Sequence, residues 1–338
     1  MFFDSTVFRV CRFYSVAVPA FLHYEWTDRT ALPEDRLKKF EILHNKYSPE
    51  MEKSVLKMRG FFLKAAQLMS IREDYLPDQY LLWTRHMQNE APISFTSEEA
   101  KEIVCNEFGL KNIEEKFANW TDIPIGSASI GQVYRATLLD GTDVAVKVQA
   151  PYAEKQFRSD LKACKFFCQF ALPHLVVSLD EIERQFATEF DYQKEGANLS
   201  EIKRNLDPTW FSKISIPSVI SSSSKVLIME FIPGETIAKH FQTHLNQLAE
   251  QEGRSTDSIR AEMKLKLMEK GLAGFFTKQF SPLAALVSLA MNVHGHQIFV
   301  DQTFNGDPHP GNLLITPTGK LGLIDFGQVK RLCKKRTA

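Results

Sequence analysis

The chain has 338 residues, 44% of them hydrophobic and 24% charged, a composition that argues against intrinsic disorder. Lys+Arg and Asp+Glu both number 41, so the net charge is zero and nothing global points to nucleic acid or to an acidic partner. The five cysteines, Cys11, Cys105, Cys164, Cys168 and Cys333, are scattered and odd in number; Cys164 and Cys168 stand one helical turn apart, but with no second pair to complete a zinc site they read as reduced thiols, buried or half-buried.

The first stretch, MFFDSTVFRVCRFYSVAVPAF, holds Arg9, Arg12, several hydroxyls and one acid, and over residues 1–33 it suits either an organelle-targeting peptide or an ordinary hydrophobic helix. Residues 34–90 read as helices. Ser48-Pro49-Glu50 has the form of a helix start with Pro in the first turn. A helix over Met51 to Ser70 then carries the apolar stripe Val55, Leu56, Phe62, Leu63, Ala66 and Met69. Lys64 and Gln67 lie one turn apart on it and, taken alone, are a solvated pair. Pro77-Asp78 opens another short helix. Ser97 to Gly109 is a further one, capped by Thr96 or Ser97, with Glu98 and Glu99 in its favourable first turn and Gly109 as its stop.

From Ile123 the hydrophobic period changes to two. PIGSASIGQVYRATLLDGTDVAVKVQ contains two strands joined at Asp140-Gly141, a hairpin signal. Before the first strand stand Gly126, Ser127, Ala128, Ser129, Ile130, Gly131, Gln132 and Val133. Protein kinases place a glycine-rich G-x-G-x-x-G-x-V loop here, whose backbone N–H groups cover nucleotide phosphates; this chain has Ala128 at the middle glycine. Lys147, in VAVKV, falls where the kinase strand lysine contacts the phosphates.

Residues 152–206 are helical and dense in acids, including Glu183, Glu189, Asp191, Glu195 and Glu201. Such a helix is usually just solvated, but a kinase-like lobe needs one glutamate to pair with the strand lysine, and Glu195 or Glu189 can serve. Ile214 to Val219 and Val226 to Met229 are strand-like around Ser221 to Ser224. LIMEFIPGETI follows, an apolar strand passing through Glu230, Phe231 and Ile232 into Pro233-Gly234, as suits a hinge whose backbone receives adenine. Thr236 to Lys278 is helical. Pro282 to Val293 is apolar but shorter than the roughly 20 residues that cross a bilayer.

The stretch FNGDPHPGNLLITPTGKLGLIDFG, Phe304 to Gly327, carries the strongest signal. Asp307 and Asn312 are five positions apart, and Asp325 of an Asp-Phe-Gly triplet follows Asn312 by thirteen. Kinases use this order: a catalytic-loop Asp, a metal-binding Asn, then a hairpin ending in the Asp-Phe-Gly metal ligand. LLIT and LGLI read as strands turned by Pro317, Thr318 and Gly319, so that Asn312 and Asp325 can share Mg²⁺.

On these motifs, FLKAAQ, GSASIGQVYRA, VAVKVQ, EFDYQKEGAN, NGDPHPGN and DFG, the chain resembles the UbiB-like family of atypical kinases, tied to ubiquinone biosynthesis in bacteria, mitochondria and plastids. The resemblance covers about residues 50–330. It implies an α+β, atypical protein-kinase-like fold with an N-terminal helical extension over residues 34–120, an N-lobe over 121–232 and a partial C-lobe over 233–338, the chain stopping soon after Asp-Phe-Gly. It further implies that Lys147 pairs with Glu195, that Asp307 is catalytic, that Asn312 and Asp325 hold metal, and that ATP and Mg²⁺ are the cofactors. The loop residues Gly126, Ser127, Ala128, Ser129 and Gly131, with Glu230 and Ile232, would bind nucleotide. Lys64 and Gln67 belong to the extension, which would lie across the place of a protein substrate with Lys64 facing Glu189 and Asp191. The family's Lys-x-Gly-Gln stands here as Lys64-Ala65-Ala66-Gln67. The implied function is ATP-dependent kinase-like or ATPase chemistry on a small-molecule or lipid substrate. With it come mitochondrial or plastid location, peripheral membrane association and no nucleic-acid partner. The alternative is a catalytically weak pseudokinase that senses nucleotide or lipid within a membrane-associated complex.

Overall fold

In the computed structural model, which describes residues 6–70, 76–87, 95–127, 130–186, 189–270 and 281–332, contacts divide the chain into two units. The first comprises Met1–Gly141, Val146–Phe190 and Ser224–Val226; the second comprises Thr142–Ala145, Asp191–Ser223 and Leu227–Ala338.

The first unit begins with α1 (Thr6–Thr30), so the hydrophobic N-terminal stretch is a helix from Thr6 onward. It packs on α2 (Arg36–Met58) and on α6 (Ala153–Ala171). Arg9 of α1 and Asp160 of α6 form a buried ion pair, 3% and 1% exposed, with Arg9 Nε 2.9 Å from Oδ1. The helix start expected at Ser48 is not there: α2 runs through Pro49. The Ser48 hydroxyl, which would have capped it, instead donates to Gln79 O at 2.6 Å and accepts from Trp83 Nε1 at 2.9 Å. Nor is Met51 to Ser70 one helix. Arg59 and Gly60 both take positive φ, 52° and 48°, and the chain restarts as α3 (Gly60–Met69). Positive φ is strained at a residue that carries a Cβ, and the glycine beside Arg59 takes it without that cost. The bend directs Phe61 and Phe62 into a core with Met58, Phe157, Leu161, Phe186 and Phe190, where Phe61 meets the edge of Phe157 at 5.4 Å.

Local signals hold elsewhere in this unit. Pro77 precedes α4 (Asp78–His86). Thr96 caps α5 (Ser97–Phe108) with a capping box to Glu99, and left-handed Gly109 ends it. Strands β1 (Phe117–Trp120), β2 (Gly126–Ser127) and β3 (Gly131–Leu138) follow, and Gly141 N–H donates to Leu138 O at the hairpin before β4 (Asp143–Gln149). After α6 comes α7 (Val176–Phe186).

The second unit holds α8 (Tyr192–Trp210), then β5 (Ile214–Ser215), β6 (Val219–Ser222) and β7 (Val226–Glu230), β6 and β7 being antiparallel with Val219 opposite Met229. Within the first unit, β1 and β2 each pair antiparallel with β3, Phe117 opposite Leu138 and Gly126 opposite Val133. After β8 (Glu235–Thr236), the helix expected over Thr236 to Lys278 is broken at left-handed Gly253 into α9 (Ile237–Glu252) and α10 (Thr256–Lys270); residues 271–280 lie outside the described residues. Next come α11 (Ser281–His296), a π-helical turn over Gln297–Asp301, and β9 (Thr303–Asn305). Strands β10 (Leu313–Ile315) and β11 (Leu321–Leu323) make the expected hairpin inside a sheet of order β5-β11-β10-β8, and β12 (Val329–Arg331) pairs with β9. Gly234 passes so close to β10 that a Cβ there would sit 2.7 Å from Ile315 O. Among the described residues no helix is long and apolar enough to cross a membrane.

Candidate nucleotide and metal site

In the second unit, the β10–β11 hairpin sets the candidate metal-ligand pair, Asn312 and Asp325. Leu313 lies opposite Leu323, and the next rung is a bond of 3.3 Å from Ile324 N–H to Asn312 O. Asn312 and Asp325 therefore flank the same end of the hairpin, as their spacing predicts. Their side chains supply an amide oxygen and a carboxylate, hard donors of the kind Mg²⁺ takes, so the residues present suit that ion. Asp325 Oδ1 accepts from Gly327 N–H at 3.0 Å, a turn that fixes the carboxylate against its own backbone. Phe326 is fully buried, and its carbonyl accepts from Asn198 Nδ2 of α8 at 3.3 Å.

Asp307 sits in a loop closed by short local bonds. His309 N–H donates to Asp307 O and Asn312 N–H to His309 O, each at 2.8 Å. His309 Nδ1 accepts from Gly311 N–H at 3.0 Å, which places the proton of the neutral ring on Nε2. Asn305, which the sequence did not single out, bonds to both motifs. Its Oδ1 accepts from Asp307 N–H at 2.9 Å, and its Nδ2 donates to Asp325 O at 2.7 Å. The only advance signal was its place two residues before Asp307.

Glu195 is buried, 3% exposed, in the first turn of α8. Asp191 caps that turn: its Oδ1 accepts from Gln193 N–H and Lys194 N–H, at 3.2 and 3.3 Å. The Glu230 carboxylate accepts from Ser218 N–H at 2.7 Å and lies 3.7 Å from Lys203. Burial pushes its pKa up, but the Ser218 bonds and the Lys203 charge outweigh that and hold it below the usual carboxylate range. Glu230 N–H and Phe231 N–H are taken up by Ser218 O and Asp143 O, and Ile232 follows in the linker to β8.

In the first unit, the phosphate-type loop is framed by β2 and β3, with Gly126 opposite Val133 and Ser127 opposite Gln132; Gly131 opens β3. Ala128 and Ser129 lie outside the described residues. On β4, Val146 and Val148 are fully buried, so Lys147 projects from the other face, which it shares with Gln149. Gln149 Nε2 donates to Phe190 O at 3.2 Å and so anchors the turn holding Glu189. Lys64 and Gln67 are not a solvated pair. Lys64 Nζ lies 3.7 Å from Glu189 and 4.9 Å from the centroid of the Phe186 ring, with the ion pair only 17% and 11% exposed. Gln67 Nε2 donates to Met87 O, at the end of α4, at 2.7 Å.

The model of the ABC1 atypical kinase-like domain matches residues 86–338. The chain belongs to the ABC1 atypical kinase family. Among ABC1 relatives, "Probable protein kinase UbiB" of Marinobacter nauticus is 30% identical over 283 residues, covering 80% of this chain and 45% of that protein. "AarF domain-containing protein kinase 1" of Mus musculus is 27% identical over 330 residues, covering 93% of this chain and 56% of the other. "Protein ACTIVITY OF BC1 COMPLEX KINASE 1, chloroplastic" of Arabidopsis thaliana is 32% identical over 291 residues, with 81% and 36% covered. The chain spans about half the length of the first two. Membership fixes the fold as α+β and kinase-like, in agreement with the helices and antiparallel sheets described above.

Proposed function

We propose that this ABC1-family chain binds ATP with Mg²⁺ and uses it in kinase-like or ATPase chemistry on a small or lipidic substrate of quinone or lipid metabolism. Asp307 would accept the proton of the attacking hydroxyl or water. Asn312 and Asp325 would hold the metal, which when bound neutralises charge on the phosphates. Lys147, paired with Glu195, would hold phosphate oxygens, with Gly126, Ser127, Ala128, Ser129 and Gly131 beside them and the backbone at Glu230 and Ile232 against the base. A mitochondrial location, with a plastid as the alternative, and peripheral attachment to a membrane suit such a substrate.

The observation that supports this most is the hairpin register, which carries Asn312 and Asp325 to one end of β10 and β11 next to the Asp307 loop. The Lys64–Glu189 pair supports a further part: by holding α3 down, it would keep peptides out, so no phosphorylation of generic proteins is expected. The test is ATP binding and ADP release with Mg²⁺, with and without lipid vesicles and a quinone-precursor analogue, and with casein or histone as protein acceptors. Turnover that rises with vesicles or analogue, with no labelled protein, agrees with the proposal. Binding without turnover would turn it toward a pseudokinase, and ready labelling of protein would refute it. Lys64→Ala should raise labelling or turnover if the pair closes the site.

A further inference from the structure

Asn305 stands at the end of β9, where an asparagine usually does no more than turn the chain in solvent. Here both ends of its amide are used, and on different motifs: Oδ1 takes Asp307 N–H at 2.9 Å and Nδ2–H goes to Asp325 O at 2.7 Å. Its own backbone is fixed from two sides. Asn305 N–H donates to Oε1 of Gln297 at 3.1 Å, and Gln297 is 2% exposed in the π-helical turn. Val329 of β12 lies opposite Asn305, and the neighbouring Gly306 N–H donates to Gln328 O at 2.6 Å.

Resting on the proposed function, we infer that Asn305 is a positioning residue that makes the catalytic-loop Asp307 and the metal-ligand Asp325 move as one piece. The chemistry calls for a side chain this short that both donates and accepts, which an amide does and a carboxylate or an alkyl group does not. Asp325 carries the bond on its main chain, while its carboxylate is set by Gly327 N–H. Releasing the main chain therefore loosens the carboxylate that would hold metal. Gln297 extends the same tie to the π turn, the kind of irregular helix that recurs at functional sites.

Two variants of the full chain separate the two bonds. Asn305→Leu removes both; Asn305→Asp keeps an acceptor for Asp307 N–H and loses only the donor to Asp325. Hydrogen exchange at single amides reads the linkage without any activity. In Asn305→Leu the amides of Asp307 and Gly327 should both exchange about 10-fold faster, the scale of one lost hydrogen bond. In Asn305→Asp only Gly327 should. Protection across Leu313–Ile315 and Leu321–Leu323 should stay. The Mg²⁺ concentration for half-maximal binding of a fluorescent ATP analogue should rise about 10-fold in Asn305→Leu, with metal-free binding unchanged. An unchanged Gly327 amide in both variants, a uniform rise across the hairpin, or an unaltered Mg²⁺ requirement would overturn the inference. If the parent chain shows no Mg²⁺-dependent binding at all, the proposed function fails instead, and the exchange pattern alone decides the linkage.

Discussion

Arg9 and Asp160 are 151 residues apart and bury a charged pair between two helices; between Thr303 and Arg331, by contrast, the side-chain bonds from Asn305 to Asp307 and Asp325 and from His309 to Gly311 join residues 2 to 20 apart. The first region depends on distant segments arriving together, so its key residues look ordinary in sequence. The second depends on spacing along one short stretch, so a motif announces it. The two should also fail differently: the first by losing global stability, the second by losing local order with the fold intact.

The largest effect is expected at the long-range contact. Arg9→Ala leaves a buried carboxylate without its counter-charge, a change that costs about 3–5 kcal/mol. Urea unfolding should show it, and the double change Arg9→Met with Asp160→Leu should recover most of the loss. The pH dependence has a definite sign. Burial raises the Asp160 pKa and Arg9 opposes the rise, so without Arg9 it moves further up. The folded variant then keeps a proton that the unfolded chain has released, and stability falls as pH climbs above the ordinary carboxylate value. The deficit of Arg9→Ala should thus be smaller near the acid end than at neutrality. A loss that does not vary with pH would contradict this account of the pair.

A smaller effect is expected at Gly234. A methyl there meets Ile315 O at 2.7 Å, and a backbone carbonyl held in a sheet has little room to give. Gly234→Ala should lose about 1–3 kcal/mol, the usual range for overpacking. Exchange of the Ile315 amide region should rise before that of α1. If α1 loosens first, the effect of the methyl is not local to β10. The smallest effect belongs to a local device within the long-range unit. Thr96→Ala removes the capping box of α5 and should cost about 1 kcal/mol by urea unfolding, with α5 amides the first to lose protection. A loss as large as that at Arg9 would erase the contrast between local and distant ties.

Much of the site was legible because its geometry follows from spacing. Leu313 to Ile315 and Leu321 to Leu323 are short apolar runs either side of a Pro-Thr-Gly turn, which fixes the register and with it the closeness of Asn312 to Asp325. Thr96 with Glu99 and the hairpin at Gly141 were likewise local. What stayed hidden was decided from afar. Ser48-Pro49-Glu50 has every local mark of a helix start, yet Gln79 and Trp83 take its hydroxyl and the helix runs on. The break at Arg59-Gly60 answers to the packing of Phe61 and Phe62, not to a stop signal. Asn305 escaped because a lone asparagine before a motif carries no pattern, and its worth appears only when both ends of its amide are seen bonded.

The proposed function turns on Asn312 and Asp325 forming the metal half of an ATP site. Calorimetric titration of the full chain with ATP, at fixed low and saturating Mg²⁺, tests it most directly when run beside Asp325→Ala. The parent should bind far more tightly with Mg²⁺ than without, and the variant, left with too few anionic oxygens for the ion, should lose that difference while unfolding at the same urea concentration. Equal Mg²⁺-dependent affinity in the parent and in Asp325→Ala would contradict the account.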